Sequence, residues 1–248
     1  MNDQSSKVSK SRGVQTIETG GRILTALSLA KNPLQLRDLA EQVGISAAQL
    51  HPYLVSFREM AMVEQTERGR YQLGPFALHL GLSRLRNQNA YRETIARVGA
   101  LSDELGLMVT ISVWGMHGPT ITYVQEFDGR IHANVQVGGN YNMTVTATGA
   151  VFGAFLPKSI TRPIVEKELS DSEFQRRAFF KVDQAVYDAA AARAKEDGYA
   201  ITRDMPIPGV SAVAAPVFDH TGQMQLAVTV IGPTGYIDLE KSGEPVRR

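Results

Sequence analysis

Cysteine is absent from the 248-residue chain, which excludes a disulfide framework and thiolate metal sites and suits a reducing cytoplasm. Nor do 18 uncharged apolar residues run together anywhere, so no membrane span is expected. The opening MNDQSSKVSKSRGVQ lacks an apolar core and does not read as a secretory signal. Residues 1–13 read instead as a flexible tail, whose Lys7, Lys10 and Arg12 are solubilising charge or an arm for phosphate. An excess of one charge is missing too. Twenty-six basic and 25 acidic side chains leave a net of +1, so the chain is no polycation, although nucleic-acid binding depends on the local field and survives this test.

Signatures of catalysis are equally scarce. There is no HExxH, and the five histidines, His51, His79, His117, His132 and His220, are scattered rather than spaced as ligands. Gly209-Val210-Ser211 lacks the second glycine of a nucleophile elbow. Gly138-Gly139-Asn140 reads as a turn, and His132 near Asp128 as a surface polar residue. The expectation is no catalytic residue, no metal site and no cofactor.

What is present begins with three short helical patterns. GGRILTALSLA, residues 20–30, places Ile23, Leu24 and Leu27 on one side. After Lys31-Asn32-Pro33, a second pattern aligns Leu36, Leu39, Ala40 and Val43 and stops at Gly44, a C-cap. Ser46 offers an N-cap to a third, in which Leu50, Tyr53, Leu54, Phe57 and Met60 recur at buried-face spacing. VEQT and RYQL then flank Glu67-Arg68-Gly69 as strand, turn and strand. Helix, helix, turn, helix and hairpin make a winged helix-turn-helix over 14–74, the third helix entering a major groove while Arg68 and Arg70 of the hairpin meet phosphate or minor groove.

Within the third helix, GISAAQLHPYLVSF holds no Lys or Arg. Pro52 falls six residues after Ser46, where it costs about 3 kcal/mol. The helix is therefore expected either to begin late, near Gln49, or to kink. Base or phosphate contacts are expected from Ser46, Gln49, His51, Tyr53 and Ser56.

Residues 75–88 read as a linker helix. Its Leu78, Leu82 and Leu85 form a stripe suited to a core or to a second subunit, a two-fold operator favouring a two-fold protein. Residues 89–240 form the larger domain, with 241–248 as a tail. There MVTISVWG, TITYVQE, GRIHANVQV, SAVAAPVFD and QLAVTVIG read as strands, and TGAVFGAFL and DQAVYDAAAARAKEDGY as helices, an α+β pattern.

The phrases LQLRDLAEQVGIS, HPYLVSFREMAMV, GRYQLGPFALHLG, VTISVWGMHGPTITYVQE, VTATGAVFGAFLP and AKEDGYAITRDMPIPGVSAVAAPVFDHTGQM, with AVTVIGPTG, run in an order that resembles the IclR family of bacterial transcription regulators, over roughly residues 14–236. The resemblance implies a GAF/PAS-like antiparallel-sheet effector domain, dimers through the DNA-binding and linker region, and often a dimer of dimers. It also implies that Pro52 stands where the family usually carries Arg. The effector pocket, on the same resemblance, involves Thr146, Thr148 and Gly149, the loop after Gly198-Tyr199-Ala200, and the last two strands. Four pocket positions that are polar in relatives sensing small organic acids are Thr202, Ala212, Thr229 and Ile231 here. With two of those groups apolar, and Met143, Phe152, Met205 and Trp114 nearby, the effector expected is an aromatic or partly apolar organic acid from a catabolic pathway.

The expectation is a cytoplasmic regulator that binds a double-stranded operator and a metabolite. The rival is a metabolite-binding or assembly module that has lost specific DNA binding, with Pro52 as its motive.

Overall fold

The computed structural model describes residues 13–86, 89–127, 135–177 and 182–237. The tails with Lys7, Lys10, Arg12 and residues 241–248 lie outside them, as do Asp128, His132 and most of the expected strand GRIHANVQV; its described end, Val135–Val137, is not a strand. The chain divides into two compact units at residues 87 and 88.

The first unit is built from α1 (Gln15–Leu29), α2 (Leu36–Val43), α3 (Ala47–Glu59), the strands β1 (Val63–Gln65) and β2 (Tyr71–Leu73), and α4 (Pro75–Arg86). Its core joins Ile23 and Leu27 of α1, Leu39, Ala40 and Val43 of α2, Leu50 and Leu54 of α3, and Val63 and Tyr71 of the hairpin. Burying nine such side chains, at about 25 cal/mol per Å² of apolar surface, is what holds three helices too short to stand alone. α2 ends at Gly44 in the left-handed region (φ 75°), its N–H returning to the Ala40 carbonyl. β1 and β2 are antiparallel, pairing Val63 with Leu73 and Gln65 with Tyr71. Met60, expected on the buried face, is 51% exposed.

α3 removes one of the two alternatives expected of Pro52, the late start. It does not begin late: Ser46 caps it, and α-helix runs without interruption from Ala47 to Glu59 with Pro52 inside. Reciprocal bonds explain the early start. The Gln49 amide donates to Ser46 Oγ at 3.2 Å and the Ser46 amide to Gln49 Oε1 at 3.0 Å, satisfying two donors that a helix start leaves open. The cap offsets part of the cost of Pro52, which has no N–H to give the Ala48 carbonyl.

The second unit comprises α5 (Asn89–Leu105), β3 (Met108–Gly115), β4 (Gly118–Gln125), α6 (Ala147–Phe155), α7 (Lys158–Ser170), α8 (Ser172–Arg177), α9 (Gln184–Asp197), β5 (Ala200–Thr202), β6 (Val210–Phe218) and β7 (Met224–Pro233). The strands form one antiparallel sheet in the order β4-β3-β7-β6-β5, an α+β, GAF/PAS-like arrangement. α7, α8 and β5 have no counterpart in the sequence reading. α7 has a proline, Pro163, within it, and β5 is three residues long, so neither shows a long uninterrupted period.

Register sorts the sheet into two faces. Val109, Val230, Val213 and Ile201 stand in one cross-strand row, and Ile111, Val228 and Ala215 in the next. That face meets α5, with which Ala215, Val217, Val228 and Val230 line a common groove. The opposite face carries the rows Thr110–Thr229–Ala214–Ala200, Met108–Ile231–Ala212–Thr202 and Ser112–Ala227–Pro216. α6 lies on it, packing Val151, Phe152, Met143 and Tyr187 with Ala200, Ala214 and Ala227.

Candidate functional sites

Two sites emerge, one in each unit. In the first, α3 turns Leu50 and Leu54 into the core and leaves Gln49, His51 and Ser56 exposed, with Tyr53 half-buried. Ser46 and Gln49 are committed to each other by the cap, which includes a third bond from Ser46 Oγ to Gln49 Oε1 at 3.0 Å. Gln49 therefore keeps its amide donors but has spent its acceptor, and a bidentate grip on adenine needs both. Arg68 and Arg70 are exposed at the wing, and no described acid pairs with either. The Thr66 amide donates to the Arg70 carbonyl at 2.7 Å and the Gly69 amide to the Thr66 carbonyl at 2.9 Å, a turn closed by Gly69 at φ 75°. Free guanidiniums on a tight turn supply sequence-independent phosphate contacts.

In the second unit, the sheet face under α6 combines hydroxyls with small apolar residues. Thr146 caps α6, its Oγ1 accepting from the Gly149 amide at 2.9 Å and donating to the Asn142 carbonyl at 2.7 Å. A side chain on Gly149 would collide with the backbone carbonyls of Asn142 and Met143, so glycine there lets the helix start press against the preceding turn. That turn is clamped by Glu168 of α7, whose carboxylate accepts from the Met143 amide at 2.8 Å and from the Thr144 amide and hydroxyl at 3.0 and 2.9 Å.

Thus positioned, Thr148 reaches the sheet and shares a 2.7 Å hydrogen bond with Thr229. Thr110, opposite Thr229 on β3, pairs at 3.0 Å with the Tyr141 hydroxyl. Burial pushes the Tyr141 phenol up to about 12, against a lowering by that bond, so it stays a neutral phenol throughout the physiological range. Ser112, about 7 Å further along β3, is fully buried, and its Oγ has no hydrogen-bond partner among the described residues. Phe152 and Trp114 close the apolar side, ring centroids 5.7 Å apart at 48°, with Met143 fully buried beside Phe152.

Not every expected effector residue joins this cluster. Ile231, Ala212 and Thr202 share the row two residues along, but Thr202 stands on β5, three strands and roughly 14 Å from β3. Its Oγ1 is also enclosed without a described partner. Met205 follows in the β5–β6 loop, half-buried, in a segment tied down by Asp204 Oδ1, which accepts from the Gly209 amide at 2.9 Å and the Thr234 hydroxyl at 2.8 Å. Arg203 is exposed. Four residues at or behind the site, Thr110, Ser112, Tyr141 and Glu168, escaped the sequence reading. Alternation along MVTISVWG was the available signal for the first two, since it places Thr110 and Ser112 on one face.

Sequence patterns agree with this two-part layout. The pattern described as the bacterial transcriptional regulator IclR C-terminal domain matches residues 83–246, and the IclR helix-turn-helix domain matches residues 16–67. The chain belongs to the IclR family. IclR-family relatives span nearly its whole length. The glycerol operon regulatory protein of Streptomyces griseus is 27% identical over 233 residues, covering 92% of this chain and 87% of that protein. Pseudomonas aeruginosa HmgR is 29% identical with a TM-score of 0.57, over 94% of each chain. An IclR homologue from Microbacterium hydrocarbonoxydans, solved with 4-hydroxybenzoate, is 17% identical with a TM-score of 0.72, over 93% of this chain and 94% of that one. The family is one of bacterial transcriptional regulators, so the chain is a DNA-binding transcriptional regulator of the IclR family with an effector-binding C-terminal domain. Among the described residues no helix is long and apolar enough to cross a membrane.

Proposed function

We propose that this regulator responds to an aromatic or otherwise partly apolar organic acid, bound between α6 and the Thr110–Thr229 face of the sheet. The observation that carries this reading is Ser112: a buried hydroxyl without a partner costs about 1–3 kcal/mol, and a ligand atom placed there recovers it. Around it stand Thr148, Thr229 and Tyr141 as hydroxyl partners and Phe152, Trp114 and Met143 as an apolar wall. The residues of this cluster include no Lys, Arg or His. A compact dicarboxylate would enter with two charges and no counter-charge, whereas a ring with one anionic end needs only hydroxyls and the Ala147 and Thr148 amides of α6, which have no acceptor among the described residues. The Microbacterium homologue, solved with 4-hydroxybenzoate, is a fold relative that holds a ligand of this class.

The protein acts as a homodimer or dimer of dimers. α4 has no buried residue, and its Leu78 (65% exposed), Leu80 and Leu82 await an apolar partner; a second copy supplies one and matches a two-fold operator.

The test is a titration of the full chain against a labelled duplex from upstream of its own gene, at two salt concentrations, beside a scrambled duplex, then with 4-hydroxybenzoate or succinate added. Preference for the native duplex that weakens with salt, and a shift with 4-hydroxybenzoate but not succinate, supports the reading. A shift with succinate alone overturns the ligand class.

A further inference from the structure

The DNA-reading helix carries no cation before Arg58 in its last turn, the acceptor of Gln49 is taken by the cap, and its outer face shows what it carries instead. At 100° per residue, Leu50, Leu54 and Phe57 define the inward side of α3, which is buried or half-buried. The line opposite them runs through Ala48, Pro52 and Val55, at i, i+4 and i+7, and only then reaches Glu59. All four are exposed, Val55 to 41%. The polar residues His51 and Ser56 flank this line rather than occupy it. Gln49, also to one side, is held by the cap. Over its first two and a half turns, the part of a recognition helix that faces base edges, the outermost surface is therefore methyl, pyrrolidine and isopropyl.

Only one feature in the major groove matches such a surface. Guanine, adenine and cytosine present acceptors and donors there, and thymine adds a 5-methyl group. A row of apolar side chains gains nothing from a donor or acceptor and leaves it desolvated without a partner, at a cost in affinity. Against a thymine methyl it gains burial.

We infer that Ala48, Pro52 and Val55 form an apolar reading strip that recognises thymine 5-methyl groups in the operator half-site. The strip accounts for a helix whose first two and a half turns read sequence without Arg or Lys, Arg58 standing in the last turn and the wing arginines supplying phosphate contacts that are indifferent to base. Pro52 is part of the contact surface here: its ring projects from the outward face, where the core is not disturbed. The inference rests on DNA binding by α3 and goes beyond it in naming both the readers and the chemical group read.

Deoxyuridine makes the test sharp, because it keeps every hydrogen-bonding group of thymidine and lacks only the methyl. The full chain is used to select bound duplexes from a random pool. The enriched half-site is then remade with each thymine replaced singly by uracil. The expected result is thymine-containing half-sites in which two or three positions lose about fourfold affinity each, the equivalent of about 0.8 kcal/mol for one buried methyl. Val55→Ser should abolish the uracil effect at one of those positions and leave it at the others. Because Val55 is exposed, folding of this variant is not at issue, and its unchanged circular dichroism checks that. An enriched site that binds equally well with uracil throughout overturns the inference while leaving DNA recognition intact. Failure to enrich any sequence overturns sequence-specific DNA recognition itself.

Discussion

The two working surfaces of this protein are mirror cases of polarity. On α3, the exposed face that should be polar is apolar at Ala48, Pro52 and Val55. On the α6 side of the sheet, the buried face that should be apolar carries Thr110, Ser112, Thr148 and Thr229. Each departs from the ordinary rule for its environment, and each does so where we propose that a partner is met. Structure stabilised for its own sake sorts residues by burial; a surface awaiting a ligand is sorted by that ligand. Their costs differ in kind. The sheet face leaves a polar group without a partner, whereas α3 gives up a backbone hydrogen bond at Pro52.

The largest effect should come from relieving α3. Pro52→Ala restores the bond to the Ala48 carbonyl, worth about 3 kcal/mol, and returns up to about 1 kcal/mol of chain entropy to the unfolded state. A net stabilisation of the first unit by roughly 2 kcal/mol follows. Amide exchange of α3 in the full chain measures it, because the single tryptophan, Trp114, reports only on the second unit. No gain in protection would mean that α3 already accommodates the proline without cost, and half of the contrast would go.

Next in size is the satisfied pair on the sheet. Thr229→Val strands the Thr148 hydroxyl in a buried place and should destabilise the second unit by about 1–3 kcal/mol, followed by Trp114 fluorescence in urea. Adding Thr148→Val removes the stranded group and should recover most of that loss. A double variant as weak as the single one would show that the hydroxyls contribute by shape rather than by pairing.

Tyr141 adds a pH signature. Its phenol ionises near 10 when unfolded and at about 12 in the fold. The stability this supplies is complete below pH 10 and is lost as pH rises from 10 towards 12, by roughly 3 kcal/mol. Tyr141→Phe should flatten that part of the stability–pH curve, and a curve unchanged by the substitution would place the phenol in water instead.

How much of this was legible beforehand follows the same division. Ser46, Gly44 and the Leu50–Leu54 spacing announce α3 and its neighbours because caps and helical period are local signals. Pro52, weighed alone, argued for a late helix start or a kink; the reciprocal Ser46–Gln49 bonds that overrule the late start involve side-chain geometry that composition does not show. Met143, Thr148 and Phe152 were reached through family likeness. Glu168 was not, because it acts from 24 and 25 residues away on the Thr144 and Met143 amides, a pairing that no sequence period encodes. Ser112 lay open in the alternation of β3, yet a serine inside a strand says nothing until the register shows it facing α6 without a partner.

Ser112 therefore gives the smallest effect on stability and the most direct test of the contrast. Ser112→Ala deletes a buried hydroxyl that bonds to nothing described, so it should leave the free protein unchanged or slightly more stable, within about 1 kcal/mol. The same change should weaken 4-hydroxybenzoate binding several-fold, because the ligand loses a partner that had no other use. Thermal unfolding followed by Trp114, with and without 4-hydroxybenzoate, reads both quantities in one experiment. Loss of stability without ligand would give Ser112 a structural bond of its own. Stability kept and ligand response lost would make it a group held unpaired until the effector arrives.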